Sequence, residues 1–174
     1  YEKSMRKLSA AIYLYALTKD NAYKTYVESN YTSAHLLLWN FVYAFEANTQ
    51  LNLLFYTNLQ GINSGVGTTI KNTYRNSVMN SSDNFPAVSN KTDAYRSFLI
   101  NGNHVWGSNA IKTNMGNIFQ SMNHFGLEAA KKDSFIITYG DYLHYIHGSN
   151  PTGLCYLTNM KNLGAENSIN TVYH

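Results

Sequence analysis

Apolar positions near the start of the chain recur three and four residues apart. Leu8, Ala11, Ile12 and Tyr15 fall on one face and predict a helix over residues 5–18. Asp20 or Asn21 can cap a second, short helix carrying Tyr23, Tyr26 and Val27. After a turn at residues 30–33, Leu36, Leu37, Trp39, Phe41, Val42 and Phe45 are apolar almost all round, which predicts a helix over 34–46 buried between neighbours. Residues 49–58 form a further Leu- and aromatic-rich segment. The glycines of 61–67 read as a turn before a polar helix at 69–79, with Ile70, Tyr74 and Val78 on one side. Residues 80–103, rich in Ser, Asn, Asp and Lys, read as the longest loop. A helix follows, with the stripe Ile111, Met115, Ile118, Phe119 and Met122, ended by Gly126.

Asp133 or Ser134 is placed to cap the last helix, whose inward face carries Phe135, Ile136, Tyr139, Tyr142, Leu143 and Ile146. Gly148 can take a left-handed cap and Pro151 cannot continue a helix, so this helix ends close to His147. The remaining residues, rich in amides and aromatics, show neither helical nor strand periodicity. Helix follows helix across short turns, and no alternating segment is long enough for a sheet. The chain is therefore expected to be all-α, built of helical hairpins with its longer, aromatic-bearing loops at one end.

Composition narrows the ligand more than the fold. Apolar residues make up 44% of the 174 and charged residues 13%, so Asn, Ser, Thr and Tyr must supply much of the polar surface. Such groups suit an uncharged, hydroxyl-bearing ligand, with a plain nucleotide bias towards Asn, Lys and Tyr as the other reading. The net charge of +3 is spread out and no basic run with interleaved aromatics occurs, so neither nucleic acid nor a membrane is expected as a partner. Residues 36–45, the most apolar run, fall short of the ~20 residues a membrane span needs. Cys155, a single cysteine, reads as a buried thiol. His144 and His147 lie three apart, and packing or solvation explains them better than a metal site. The chain starts at Tyr1 and reads as part of a longer protein.

Two tryptophans are candidates for stacking on a sugar ring, since an indole offers a flat apolar face with a polar edge. Trp106, beside Gly107 where a polar loop meets a helix, is placed to line an opening. Trp39, inside the apolar 34–46 segment, is better explained by core packing, with sugar stacking as the other reading.

The order Trp106-Gly107-Ser108-Asn109, a helix, then Asp141-Tyr142-Leu143-x-Tyr145-Ile146-x-Gly148-x-Asn150-Pro151-x-Gly153-x-x-Tyr156-Leu157-Thr158 resembles the family 9 glycoside hydrolases, cellulases and related β-glucan hydrolases. The opening Leu8-x-Ala10-Ala11-x-Tyr13-Leu14-Tyr15-x-x-Thr18-x-Asp20-x-x-Tyr23 resembles that family too. The resemblance implies about the second half of an (α/α)6 barrel, with residues 1–174 a single catalytic domain incomplete at both ends. It implies inverting hydrolysis of β-1,4-glucosidic bonds by an Asp base and a Glu acid, with neither family motif inside this chain, and a secreted enzyme. It implies a substrate-stacking role for Trp106, and a substrate contact for His174 in the position of a His-x-Arg signature, next to Tyr173. Trp39 joins them as a candidate contact. Many family members bind calcium before the helix matched at Leu8; this chain has Tyr1-Glu2-Lys3 there, and no cofactor is expected. The expected partners are a β-glucan and the rest of the catalytic domain. A non-catalytic carbohydrate-binding or structural protein on the same scaffold is the competing reading.

Overall fold

The first hairpin joins α1 (Glu2–Thr18) to α2 (Asn21–Asn30) across a two-residue turn. Lys19 closes α1 in the left-handed region at φ 59°, and the Asp20 carboxylate accepts the backbone N–H of Ala22 at 2.8 Å, the cap expected from the sequence. A one-turn α3 (His35–Leu38) then leads to the second hairpin, α4 (Ala47–Tyr56) and α5 (Ser64–Asn80). A short α6 (Phe85–Ser89) precedes the third, α7 (Ser108–His124) and α8 (Lys132–Ile146). Two short strands, β1 (Cys155–Thr158) and β2 (Ser168–Ile169), pair in parallel near the end. The computed structural model describes residues 1–90 and 93–170, and over them the chain is all-α apart from this strand pair.

Contacts across the helices set their directions. Tyr1 meets Glu46, Ser9 meets Asn52, and Tyr15 meets Tyr56, so α1 and α4 run parallel. Gly116 abuts Tyr142 and Tyr139 while Phe119 stacks near Phe135, so α7 and α8 run antiparallel. The Tyr74 hydroxyl donates to the Ile118 carbonyl, and Asn114 donates to the Ala44 carbonyl just before α4. Helices α1, α4 and α7 thus share one direction, and α2, α5 and α8 the other. Their apolar faces meet in one core around Leu8, Ile12, Leu53, Leu54, Ile70, Ile118, Phe119, Met122 and Phe135. At one end the turns within hairpins are short (19–20, 57–63 and 125–131). At the other lie the long segments 31–46, 81–107 and the run after Ile146. The expected gathering of long loops is present.

Several sequence expectations are corrected. Residues 34–46 are not one helix. Asn40, tolerant of positive φ, turns the backbone at φ 53° and ends α3 after one turn. Val42 and Ala44 are then buried while Phe45 is exposed, a period-two pattern that an all-apolar run conceals. Side chains take over the backbone bonding: Gln50 Nε2 donates to the Tyr43 carbonyl at 2.5 Å, and the Val42 N–H donates to Ser77 Oγ at 2.7 Å. The glycine stretch is not all turn either, because the Asn63 side-chain Oδ1 accepts the N–H groups of Gly65 and Val66 and starts α5 at Ser64. Within the expected loop 80–103, α6 forms with Pro86 in its first turn and buries Phe85 and Val88. Helix α8 begins at Lys132 with no side-chain cap from Asp133 or Ser134, and Ile136 and Leu143 face out. The segment after Pro151 contains the β1–β2 pair rather than being wholly irregular. Cys155 is a buried free thiol, as expected.

Candidate functional site: the long-loop end

A cleft of about 610 Å³ opens where the first turns of α1 and α4 meet α7, lined by Tyr1, Arg6, Phe45, Glu46, Asn48 and Asn114. Beside it runs a row of rings. Tyr1 stacks on His35 at 3.7 Å between centroids, His35 stacks on Trp39 at 3.6 Å, and Trp39 meets Tyr43 edge-on at 5.9 Å. Tyr43 packs against Phe45 at 4.9 Å, returning the row to the cleft. Glu46 holds the near end: it accepts the Tyr1 hydroxyl at 2.7 Å and bonds His35 Nδ1 at 2.6 Å. Burial and the hydrogen bond to Glu46 push the Tyr1 hydroxyl up to about 12. Trp39 is therefore not a core residue; half of its surface is open.

The second wall precedes α7. Asp93 accepts the backbone N–H groups of Tyr95 and Ser97, bending the chain into a turn. Lys112, only 5% exposed, reaches from α7 to donate to Ser97 O at 2.5 Å and Ser97 Oγ at 3.2 Å. Its ammonium lies 3.9 Å from the centroid of the Tyr145 ring. Burial lowers its pKa, with Asp93 acting in the opposite direction. Tyr142 adds a hydrogen bond to the Phe98 carbonyl at 2.5 Å. These contacts fix residues 93–98, from which the chain passes to Trp106 and then Gly107, at φ 80°, to open α7. Trp106 is 84% exposed at the long-loop end.

A third wall follows α8. His147 ends the helix and Gly148 turns at φ 124°, a conformation that favours glycine. Asn150 is the hub: its Nδ2 donates to the Tyr145 and Leu154 carbonyls at 2.7 and 2.8 Å, and its Oδ1 accepts the Thr152 N–H and hydroxyl at 3.0 and 2.7 Å. Thr152 then bonds the Tyr156 hydroxyl at 3.1 Å. Further on, Ser168 Oγ donates to Leu157 O and accepts the Met160 N–H, tying β2 to the turn after β1. Tyr173 and His174 lie outside the described residues.

The structure thus brings Trp39 and Trp106 to the same end of the helices without putting either in the cleft lining. Both His144 and His147 are exposed, and the described residues contain no group of three or more His, Cys, Asp and Glu placed to hold a metal ion. No helix among them is long and apolar enough to cross a membrane. Sequence reasoning missed His35, Glu46, Gln50 and Lys112. The partners of Glu46 and Lys112 lie 11 to 45 residues away, beyond any local periodicity. Asn63, Gln50 and Asn150 show that part of the amide-rich composition is spent on backbone bonding rather than on a ligand.

No curated protein and no solved structure matches the chain. The sequence model of glycosyl hydrolase family 9 matches residues 6–174, which takes in every helix except the first turn of α1, the rings from His35 to Phe45, and the segments before α7 and after α8. The chain belongs to glycosyl hydrolase family 9.

Proposed function

We propose that this chain supplies substrate-binding walls for an inverting hydrolase of β-1,4-glucosidic bonds in cellulose or a related β-glucan. The observation that carries the reading is the convergence at one end of an open cleft, a ring row containing Trp39, and exposed Trp106. Flat rings beside neutral amides suit pyranose faces and hydroxyls, and an open cleft suits a polymer entering from solvent. Trp106 stacks on a glucosyl ring in this reading, Trp39 extends the apolar floor, and Tyr173 and His174 are further substrate contacts.

The general acid and base come from outside residues 1–174. Inversion needs two carboxyl groups about 6.5–9.5 Å apart on either side of the scissile bond, with space for a water. Around the cleft and the loop before Trp106, the carboxylates Glu2, Glu46 and Asp93 are each engaged, by Arg6, by Tyr1 and His35, and by backbone N–H groups. That leaves them poorly placed for proton transfer. No cofactor enters this reading, and a polymeric substrate places the enzyme outside the cell. The test is proton NMR of cellopentaose hydrolysis by the complete catalytic domain. The α-anomer of the new reducing end should appear first and then mutarotate. Initial β-anomer would overturn inversion, and no cleavage of any β-glucan would overturn the hydrolase reading.

A further inference from the structure

Among the described residues, Lys112 is the buried cation, and no carboxylate of theirs pairs with it directly. It sits one turn into α7, with Ser97 on one side, the face of Tyr145 on the other, and only 5% of its surface open. Burying an ammonium without a carboxylate in contact is costly. Straight packing of α7 would be served as well by Met or Leu at this position. What the charge achieves is a cross-link: Ser97 belongs to the loop running to Trp106, and Tyr145 belongs to the end of α8 that feeds the Asn150 hub. Tyr95 meets Tyr145 edge-on at 6.1 Å, and Tyr156 lies 6.2 Å beyond it, so the two loops share one aromatic cluster with Lys112 beneath. A hollow of about 360 Å³ lined by Asp93, Tyr95, His104, Lys112, Tyr145 and Pro151 separates the same segments. Without the pin, the loops would have room to shift into it.

We propose that Lys112 is a positioning residue for substrate binding: it locks the segment before Trp106 to the end of α8, so that the Trp106 indole is held ready for a sugar ring. The proposal rests on the reading of Trp106 as a stacking residue. A loop that must be ordered on binding weakens affinity, because the ligand then bears the ordering cost. The chemistry itself, carried by groups elsewhere, is untouched.

The test uses the complete catalytic domain with a cello-oligosaccharide substrate. Lys112→Met should raise KM about fivefold to tenfold with kcat within about twofold of the parent, the pattern of lost binding rather than lost chemistry. Tyr145→Leu, which removes the ring against the ammonium together with its contacts to Tyr95 and Tyr156, should raise KM about twofold to fivefold in the same way. Lys112→Arg, which keeps the charge and the donors, should recover part of the loss. An unchanged KM in Lys112→Met with a folded protein overturns the proposal, as does a fall in kcat alone. Should Lys112→Met fail to fold, Tyr145→Leu decides by the same split. Trp106→Ala separates the two levels: if it leaves KM unchanged, the stacking reading fails, whereas a raised KM there with no effect at Lys112 and Tyr145 sinks only the pin.

Discussion

At the scale of single residues, Asn150 shows how much structure one amide can hold. Its four hydrogen bonds fix the turn after α8, and the residue is 6% exposed. Asn150→Ala leaves two carbonyls short of donors and should cost about 2–3 kcal/mol, read as a lowered denaturant midpoint. The buried tyrosines make a second prediction. Burial raises the pKa of Tyr56, Tyr74 and Tyr142 above the ordinary value. A phenol raised in the folded state contributes stability that is complete below its unfolded pKa, about 10, and is lost as pH climbs through the folded value. Thermal stability should therefore hold to about pH 9.5 and fall steeply between about pH 10 and 12, together with a rise in tyrosinate absorbance. A melting temperature flat to pH 12 would contradict this.

At the scale of elements, close approach is written in glycines. A Cβ on Gly116 would sit 3.0 Å from Tyr142 Cβ, so α7 and α8 pack almost backbone to side-chain root. Gly116→Val should push the helices apart and cost about 2–4 kcal/mol, seen in the same midpoint shift. The helices themselves were legible. The stripes of α1, α5, α7 and α8 are spaced three and four apart and the termini near Gly126 and Gly148 carry their own stop signals. The loop end was legible only as a location. Residues 34–46 are apolar at both helical and alternating spacing, so their pattern could not choose; Asn40 and the reach of Gln50 and Ser77 decide it in three dimensions. The same limit hid Lys112, whose partners lie on two other segments. The exposure of Trp106 could be foreseen because Gly107 and the polar loop before it mark a surface junction.

At the scale of the whole molecule, three hairpins with alternating direction share one core yet leave large apolar side chains open. Leu17 on α1 is 82% exposed, Ile137 on α8 58%, and Leu163 in the last loop 75%. If the rest of a helical barrel covers these side chains, residues 1–174 made alone should bind a hydrophobic dye and self-associate. A sharp, cooperative melt of a dye-free monomer would count against these residues being a portion of a larger helical barrel. The long-loop end is the more telling feature, since the stacked rings, the cleft and Trp106 all face it while the other end has only short turns. The most direct measurement is the affinity of the complete catalytic domain for cellotetraose before and after Trp106→Ala. Loss of one stacking platform should weaken binding about tenfold, with the melting temperature held, since the side chain is 84% exposed. Unchanged affinity in a folded variant would contradict the assignment of this end as the sugar-binding wall.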